Sequence, residues 1–162
     1  VALRAGAPSQ AGVVGRKLCD LRWSVYASAA YVERRGCPTS PEDLAGHAVI
    51  GADGALADAP AMTWMREKAG GAESPSRSNS LSNLLVAVKA GLGVAPLPCM
   101  MGDSQPDLLR CLPPIADLDS ELWLITREPL KDLAHVRTFN TFIAGRIASI
   151  RHLLAAREAS AR

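Results

Sequence analysis

Ser80-Leu81-Ser82-Asn83-Leu84-Leu85-Val86-Ala87-Val88-Lys89-Ala90-Gly91-Leu92-Gly93-Val94-Ala95-Pro96-Leu97-Pro98 reads as a helix followed at once by a strand. Ser80 is a candidate N-cap, Leu81, Leu84, Leu85 and Val88 recur at helical spacing, and Gly91 ends the helix. Val94 to Leu97 is a short apolar strand that Pro98 closes. Gly91 and Gly93 begin like a dinucleotide fingerprint. Pro96, however, holds the place of the third glycine, and the pair follows a helix instead of opening one. A helix C-cap and a tight turn account for the two glycines.

The same alternation extends outward in both directions. Upstream, Val1 to Arg4 is a short apolar run ended by Gly6 and Pro8, expected to be a buried strand with neighbours on both sides. The chain opens without an initiator methionine, so the expectation is a fragment of a larger protein, cut at its N-terminus. Val13 to Ser28 is strand-like and broken near Asp20, with Trp23, Val25 and Ala27 alternating with Arg22, Ser24 and Tyr26 as on a strand with two unlike faces. Ser28 caps a helix over 29–35 that Gly36 ends. Ser40 is the expected N-cap of a second helix, with Pro41 at its first position and Gly46 at its close. His47 to Ile50 returns as a strand to the loop Gly51-Ala52-Asp53-Gly54, Met62 to Arg66 reads as a modest strand, and 67–78 as a surface excursion.

Downstream, Leu108 to Leu112 and Glu121 to Thr126 are strands. Val136, Phe139, Phe142, Ile143, Ile147, Ile150 and Leu154 form the core stripe of a closing helix that Asp132 would cap. The tail after Ala155 is expected to fray. Alternating strands and helices predict an α/β chain with a mainly parallel sheet.

Composition sets the bounds. The chain has 162 residues, 48% hydrophobic and 21% charged, which suits a globular domain or two small lobes and excludes a disordered chain. A net charge of +2 is too small to argue for nucleic acid or an anionic membrane. No apolar run is long enough to span a bilayer, and the first residues lack the pattern of a signal peptide. Cys19, Cys37, Cys99 and Cys111 form no CxxC pair and no metal-ligand spacing with histidine, so they read as reduced thiols and no metal is expected.

Catalytic patterns are missing as well. There is no GxSxG elbow and no GxxxxGK[ST] loop. His47, His135 and His152 lack a convergent partner, and the adjacent acids Glu42 with Asp43 read as solvated caps. The scattered arginines 137, 146, 151 and 157 of the closing helix do not make a nucleic-acid surface. Binding remains. The helix at Leu81 offers free N–H groups and the positive end of its dipole, and Asn79 and Ser80 add side-chain donors there, a place suited to a small anion.

Several segments together resemble the effector-binding domain of LysR-type transcriptional regulators. They are Val1-Ala2-Leu3-Arg4-Ala5-Gly6, Trp23-Ser24-Val25-Tyr26-Ala27-Ser28-Ala29-Ala30-Tyr31, and Gly36-Cys37-Pro38 running into Ser40-Pro41-Glu42-Asp43-Leu44-Ala45-Gly46-His47. Ala90 to Pro98, and Val136-Arg137-Thr138-Phe139 with Phe142-Ile143, complete the set.

The resemblance implies a two-lobe, periplasmic-binding-protein-like (type II) α/β fold with the second lobe complete and the first partial. Residues 1–21 and 119–162 would belong to the first lobe and 22–118 to the second. It implies a small-molecule effector held between the lobes by Arg4, Ala5, Gly6, Tyr26, Ala52, Asp53, Gly54, Asn79 and Ser80. It also implies a cytoplasmic homodimer or higher oligomer, with no cofactor, no catalysis and no membrane, and with DNA reached only through a winged helix-turn-helix outside this chain. A solute-binding lobe of a transport system is the alternative, and an enzyme on the same architecture the third reading. The gene upstream of Val1 discriminates the first two, since a winged-helix region favours the regulator and a signal peptide the transporter.

Overall fold

The structure, a computed structural model, describes residues 1–71 and 74–150. Among the described residues eight strands run in chain order: β1 Ala2–Ala5, β2 Val13–Leu21, β3 Trp23–Ser28, β4 Gly51–Ala52, β5 Arg77–Ser78, β6 Ala95–Pro98, β7 Leu108–Arg110 and β8 Ser120–Arg127. Five α-helices are interleaved among the same residues: α1 Ala29–Arg35, α2 Pro60–Lys68, α3 Leu81–Lys89, α4 Cys99–Gly102 and α5 Ala134–Ser149. The strands form one sheet in the order β1-β8-β2, a second in the order β6-β3-β7, and a small pair of β4 with β5.

The pairing corrects the expectation of a mainly parallel sheet. β1 and β2 both run antiparallel to β8, as do β6 and β7 to β3, and among the described residues only the β4–β5 pair and a lone Val49–Val94 bridge are parallel. Helix–strand alternation says that crossovers exist, but not which strands a crossover places side by side.

β3 is the centre of the packing. All six of its residues are buried, which replaces the expected strand with two unlike faces. Tyr26 joins Ile50, Met62, Leu84, Val88 and Leu97 in one cluster, while Val25 and Ala27 join Tyr31, Leu44, Met65 and Val94 in another. Ser24, the polar residue expected to mark an outer face, is buried and its hydroxyl donates to the Leu112 carbonyl. β1 departs in the other direction. It is an edge strand paired only with β8, and Val1 and Leu3 are each 51% exposed where burial was expected.

Local signals fared unevenly for identifiable reasons. Ser28 caps α1 as expected, its hydroxyl accepting from the Tyr31 N–H at 3.2 Å, and Gly36 ends the helix at φ 77°. Gly91, at φ 72°, ends α3. After Ser40 the chain makes a 3₁₀ turn over Glu42–Gly46, with Pro41 in the cap position. The Asp43 carboxylate accepts from the Thr39 N–H, the Thr39 hydroxyl and the Ser40 N–H, and these bonds hold its pKa below the usual value.

Met62 to Arg66 lies in helix α2, not in a strand. Pro60 takes a first-turn position, and Ala61, Met62 and Met65 bury one helical face. The excursion at 67–78 contains β5 and the end of α2. In α5, whose N-cap is Leu133 and not Asp132, only Val136 of the expected stripe is buried. Phe139 and Phe142 are 47% and 61% exposed, and Leu154, like the tail after Ala155, lies outside the described residues.

Candidate ligand-binding site

The β4–β5 pair places two sequence-distant segments side by side. Gly51 stands opposite Arg77 and Ala52 opposite Ser78, and the Asp53 N–H donates to the Ser78 carbonyl at 3.0 Å. Each strand then runs into a turn, Asp53 and Gly54 on one side and Asn79 and Ser80 on the other. A Cβ added to Gly54 would lie 3.7 Å from that of Asn79, so the two turns touch. Five of the nine sequence-derived candidates (Ala52, Asp53, Gly54, Asn79 and Ser80) therefore meet at the N-terminus of α3.

The chemistry there differs in detail from the expectation. Ser80 holds the N-cap position of α3, but its side chain makes no capping hydrogen bond, and its own N–H donates to the Ser78 hydroxyl at 3.2 Å. First-turn N–H groups have no partner within a helix. The nine-residue helix α3 thus keeps its terminal donors and the Ser80 hydroxyl uncommitted. Asp53 is ion-paired with Arg77, Nε to Oδ1 at 2.8 Å, and Arg77 also donates to the Ala52 carbonyl at 3.1 Å. Both side chains are more than half exposed, so the pair contributes little to stability. It does cancel the charge that Asp53 alone would present. Arg77 was missed in sequence because it lies in a Gly/Ser/Pro-rich stretch read as surface loop, and only the pairing with β4 reveals it.

The remaining candidates lie elsewhere. Tyr26 is 1% exposed, and its hydroxyl donates to Asp103 Oδ1 at 2.8 Å. Burial pushes its phenol far above the ordinary value, so it stays protonated in that bond. Asp103 also takes an ion pair from Arg110, and the Gly102 Cα packs against the Tyr26 ring so closely that a Cβ there would overlap it. Tyr26 is therefore committed to the core. Ala52 is likewise buried, and only its backbone faces the turn. Arg4, Ala5 and Gly6 lie on the other sheet. Arg4 is opposite Trp123, Ala5 opposite Leu122, and the Gly6 N–H donates to the Glu121 carbonyl at 2.8 Å.

A cavity of about 70 Å³ beneath β4, lined by Ile50, Met62, Met65, Ser74 and Arg77, is too small for a metabolite. Ser74 spans its rim, accepting from the Gly51 N–H at 2.6 Å and donating to the Val49 carbonyl at 2.7 Å. Among the described residues no group of three or more His, Cys, Asp or Glu side chains is arranged to hold a metal ion, and no helix is long and apolar enough to cross a membrane.

The two sheets are joined twice by the chain, through Arg22 and through Asp119, and these passages touch. Trp23 Nε1 donates to the Ser120 hydroxyl at 3.0 Å, and Arg22 stands 4.0 Å from Asp119. The architecture is similar to that of solved regulatory domains from two bacteria. The regulatory domain of CrgA, a LysR-type regulator from Neisseria meningitidis, superposes with a TM-score of 0.71 at 22% identity, covering 90% of this chain and 74% of that one. The regulatory domain of AphB from Vibrio vulnificus superposes at 0.65 and 18% identity, covering 89% and 73%. These likenesses show the fold, which is the periplasmic-binding-protein-like type II fold.

The LysR substrate binding domain model matches residues 1–148, and the chain belongs to that family. Among curated relatives, the probable HTH-type transcriptional regulator LtrA of Klebsiella pneumoniae is 28% identical over 136 residues, covering 77% of this chain and 43% of that protein. The HTH-type transcriptional regulator CrgA of Neisseria meningitidis serogroup C is 45% identical over 51 residues, covering 32% of this chain and 17% of that protein. The chain thus spans less than half the length of these relatives. The family is one of regulator domains and not an enzyme family.

Proposed function

We propose that this chain is the effector-sensing part of a LysR-type transcriptional regulator, and that it binds a small metabolite between two lobes without transforming it. Residues 1–21 would form one lobe together with the segment 119–162, of which 151–162 lie outside the described residues, and 22–118 the other. The division of strands between the two larger sheets and the touching passages at Arg22 and Asp119 support this reading. The effector alters how the lobes sit, and the change is passed to a DNA-binding region outside this chain, in a cytoplasmic homodimer or higher oligomer.

The observation that carries the site is the uncapped start of α3. Free N–H groups, the Ser80 hydroxyl and Asn79 converge beside the Asp53–Arg77 pair, a setting for a ligand with a carboxylate or similar anionic group. Arg4, Ala5 and Gly6 would meet the ligand from the opposite lobe.

A thermal-shift screen against small mono- and dicarboxylates tests the reading. At a hundred times its dissociation constant, a ligand selective for the folded state adds about 2.7 kcal/mol of apparent stability. At least one acid should raise Tm, and Ser80→Ala and Arg4→Ala should each weaken it by calorimetry. A panel with no shift, or a ligand indifferent to both substitutions, removes this site.

A further inference from the structure

Two polar atoms are stranded where α5 meets the β1-β8-β2 sheet. Among the described residues, Thr126 Oγ1 and Asn140 Oδ1 are the buried side-chain atoms that have no hydrogen-bond partner. Thr126 is only 8% exposed. Alternation along β8 puts it on the face that meets α5, since Leu122 on that face joins Ile147 of the helix around Cys19 and Leu21. Asn140 and Ile147 are two helical turns apart, so they share one face of α5.

Facing positions on a strand and on the helix over it ordinarily hold apolar residues that close the gap. Here they hold a hydroxyl and an amide, and the gap stays open. Thr126 and Asn140 line a cavity of about 210 Å³ together with Val14, Arg16, Leu124 and Lys131. Val14 stands opposite Thr126 and Arg16 opposite Leu124, so β2 supplies one wall. A water occupies about 30 Å³, and drug-sized ligands take sites of about 300 Å³ or more. The space therefore suits a molecule of a few carbons.

The two cations are exposed and mark the open side of the cavity. Lys131 is ion-paired with Glu128 at 3.6 Å, while Arg16 takes part in no ion pair among the described residues. A single hydroxyl answers both stranded atoms, donating to Asn140 Oδ1 and accepting from the Thr126 hydroxyl. An ammonium group could not accept, and it would face two cations. A carboxylate on the same molecule would answer Arg16 and Lys131.

We propose that this cavity binds a small hydroxycarboxylic acid, at a site separate from the start of α3. Arg16 and Lys131 take the carboxylate at the mouth, Thr126 and Asn140 take the hydroxyl inside, and Val14 and Leu124 cover the carbons. The bound acid bridges β2 and β8 to α5.

Titration of the chain with lactate and 2-hydroxybutyrate, followed by NMR, tests this against propionate and butyrate, the same acids without the hydroxyl. The hydroxy acids should shift the Thr126 and Asn140 amide signals saturably and bind about tenfold tighter than their partners. Thr126→Val keeps the side-chain shape and should abolish that preference while Tm holds. Asn140→Ala should abolish it from the helix side. Arg16→Gln should weaken all four acids, and Ser80→Ala none of them. Absence of any saturable shift, which means that the space holds water only, overturns the proposal. So does equal affinity within each matched pair, or binding that Ser80→Ala removes and Thr126→Val leaves intact.

Discussion

The β6-β3-β7 sheet and the β1-β8-β2 sheet are both three-stranded and antiparallel, yet they are packed in opposite ways. Every residue of β3 is buried, with one cluster on the Tyr26 side and another on the Val25 side. In the other sheet Ile147 of α5 and the following Ile150 are only partly buried where they pack against Cys19 and Leu21, while the edge strand β1 is largely exposed. Polar satisfaction differs in the same sense. Tyr26, Asp103 and Arg110 satisfy one another beside β3. Among the described residues, Thr126 Oγ1 on β8 and Asn140 Oδ1 on α5 are buried without a hydrogen-bond partner. Each such group costs about 1–3 kcal/mol. Strand number and direction are therefore a poor guide to stability, and coverage of both faces is the better one.

The largest effect expected from this contrast comes from paired truncations. Leu84→Ala, at a fully buried position against β3, should cost about 2–5 kcal/mol by urea denaturation. Phe142→Ala, on the exposed face of α5, should change stability by less than about 0.5 kcal/mol. Equal losses at the two positions would break the comparison. Next in size is Asp103→Ala, which removes the carboxylate that pairs with the largely buried Arg110 guanidinium and accepts from the Tyr26 hydroxyl. About 2–4 kcal/mol should be lost. A double-mutant cycle with Tyr26→Phe should show coupling, and simple additivity would mean that the network is not a unit.

The smallest effect concerns the helix starts. Ser28→Ala removes an observed cap and should cost about 1 kcal/mol. Ser80→Ala removes none, so thermal melts should show a change within about 0.5 kcal/mol. A loss at Ser80 as large as at Ser28 would mean that its hydroxyl caps α3 after all, and would leave less of it for a ligand.

Much of this molecule is legible in the chain. The helix at Leu81, its glycine stop, the Ser28 cap and the following strand appear where the pattern places them, because caps and apolar periods are local properties. The reading failed where burial decided the outcome. Ser24 and Tyr26 look like an outer face because they are polar, yet the Leu112 carbonyl and Asp103 satisfy them inside. Phe139 and Phe142 look like core, yet α5 leaves them exposed. The candidate site was half legible. Asp53, Gly54, Asn79 and Ser80 lie together at the start of α3, but Arg77 was hidden in a loop-like composition, and Tyr26, expected to meet a ligand, is buried with its hydroxyl on Asp103.

The sequence by itself determined the family, the α/β class and the position of α3, since all of these rest on residue order and short-range spacing. Tertiary structure alone decided that the two larger sheets are antiparallel and that Asp53 is neutralised by Arg77. Both rest on contacts between residues at least 24 positions apart. Such contacts depend on which surfaces the whole fold must bury, and no local pattern along the chain records that.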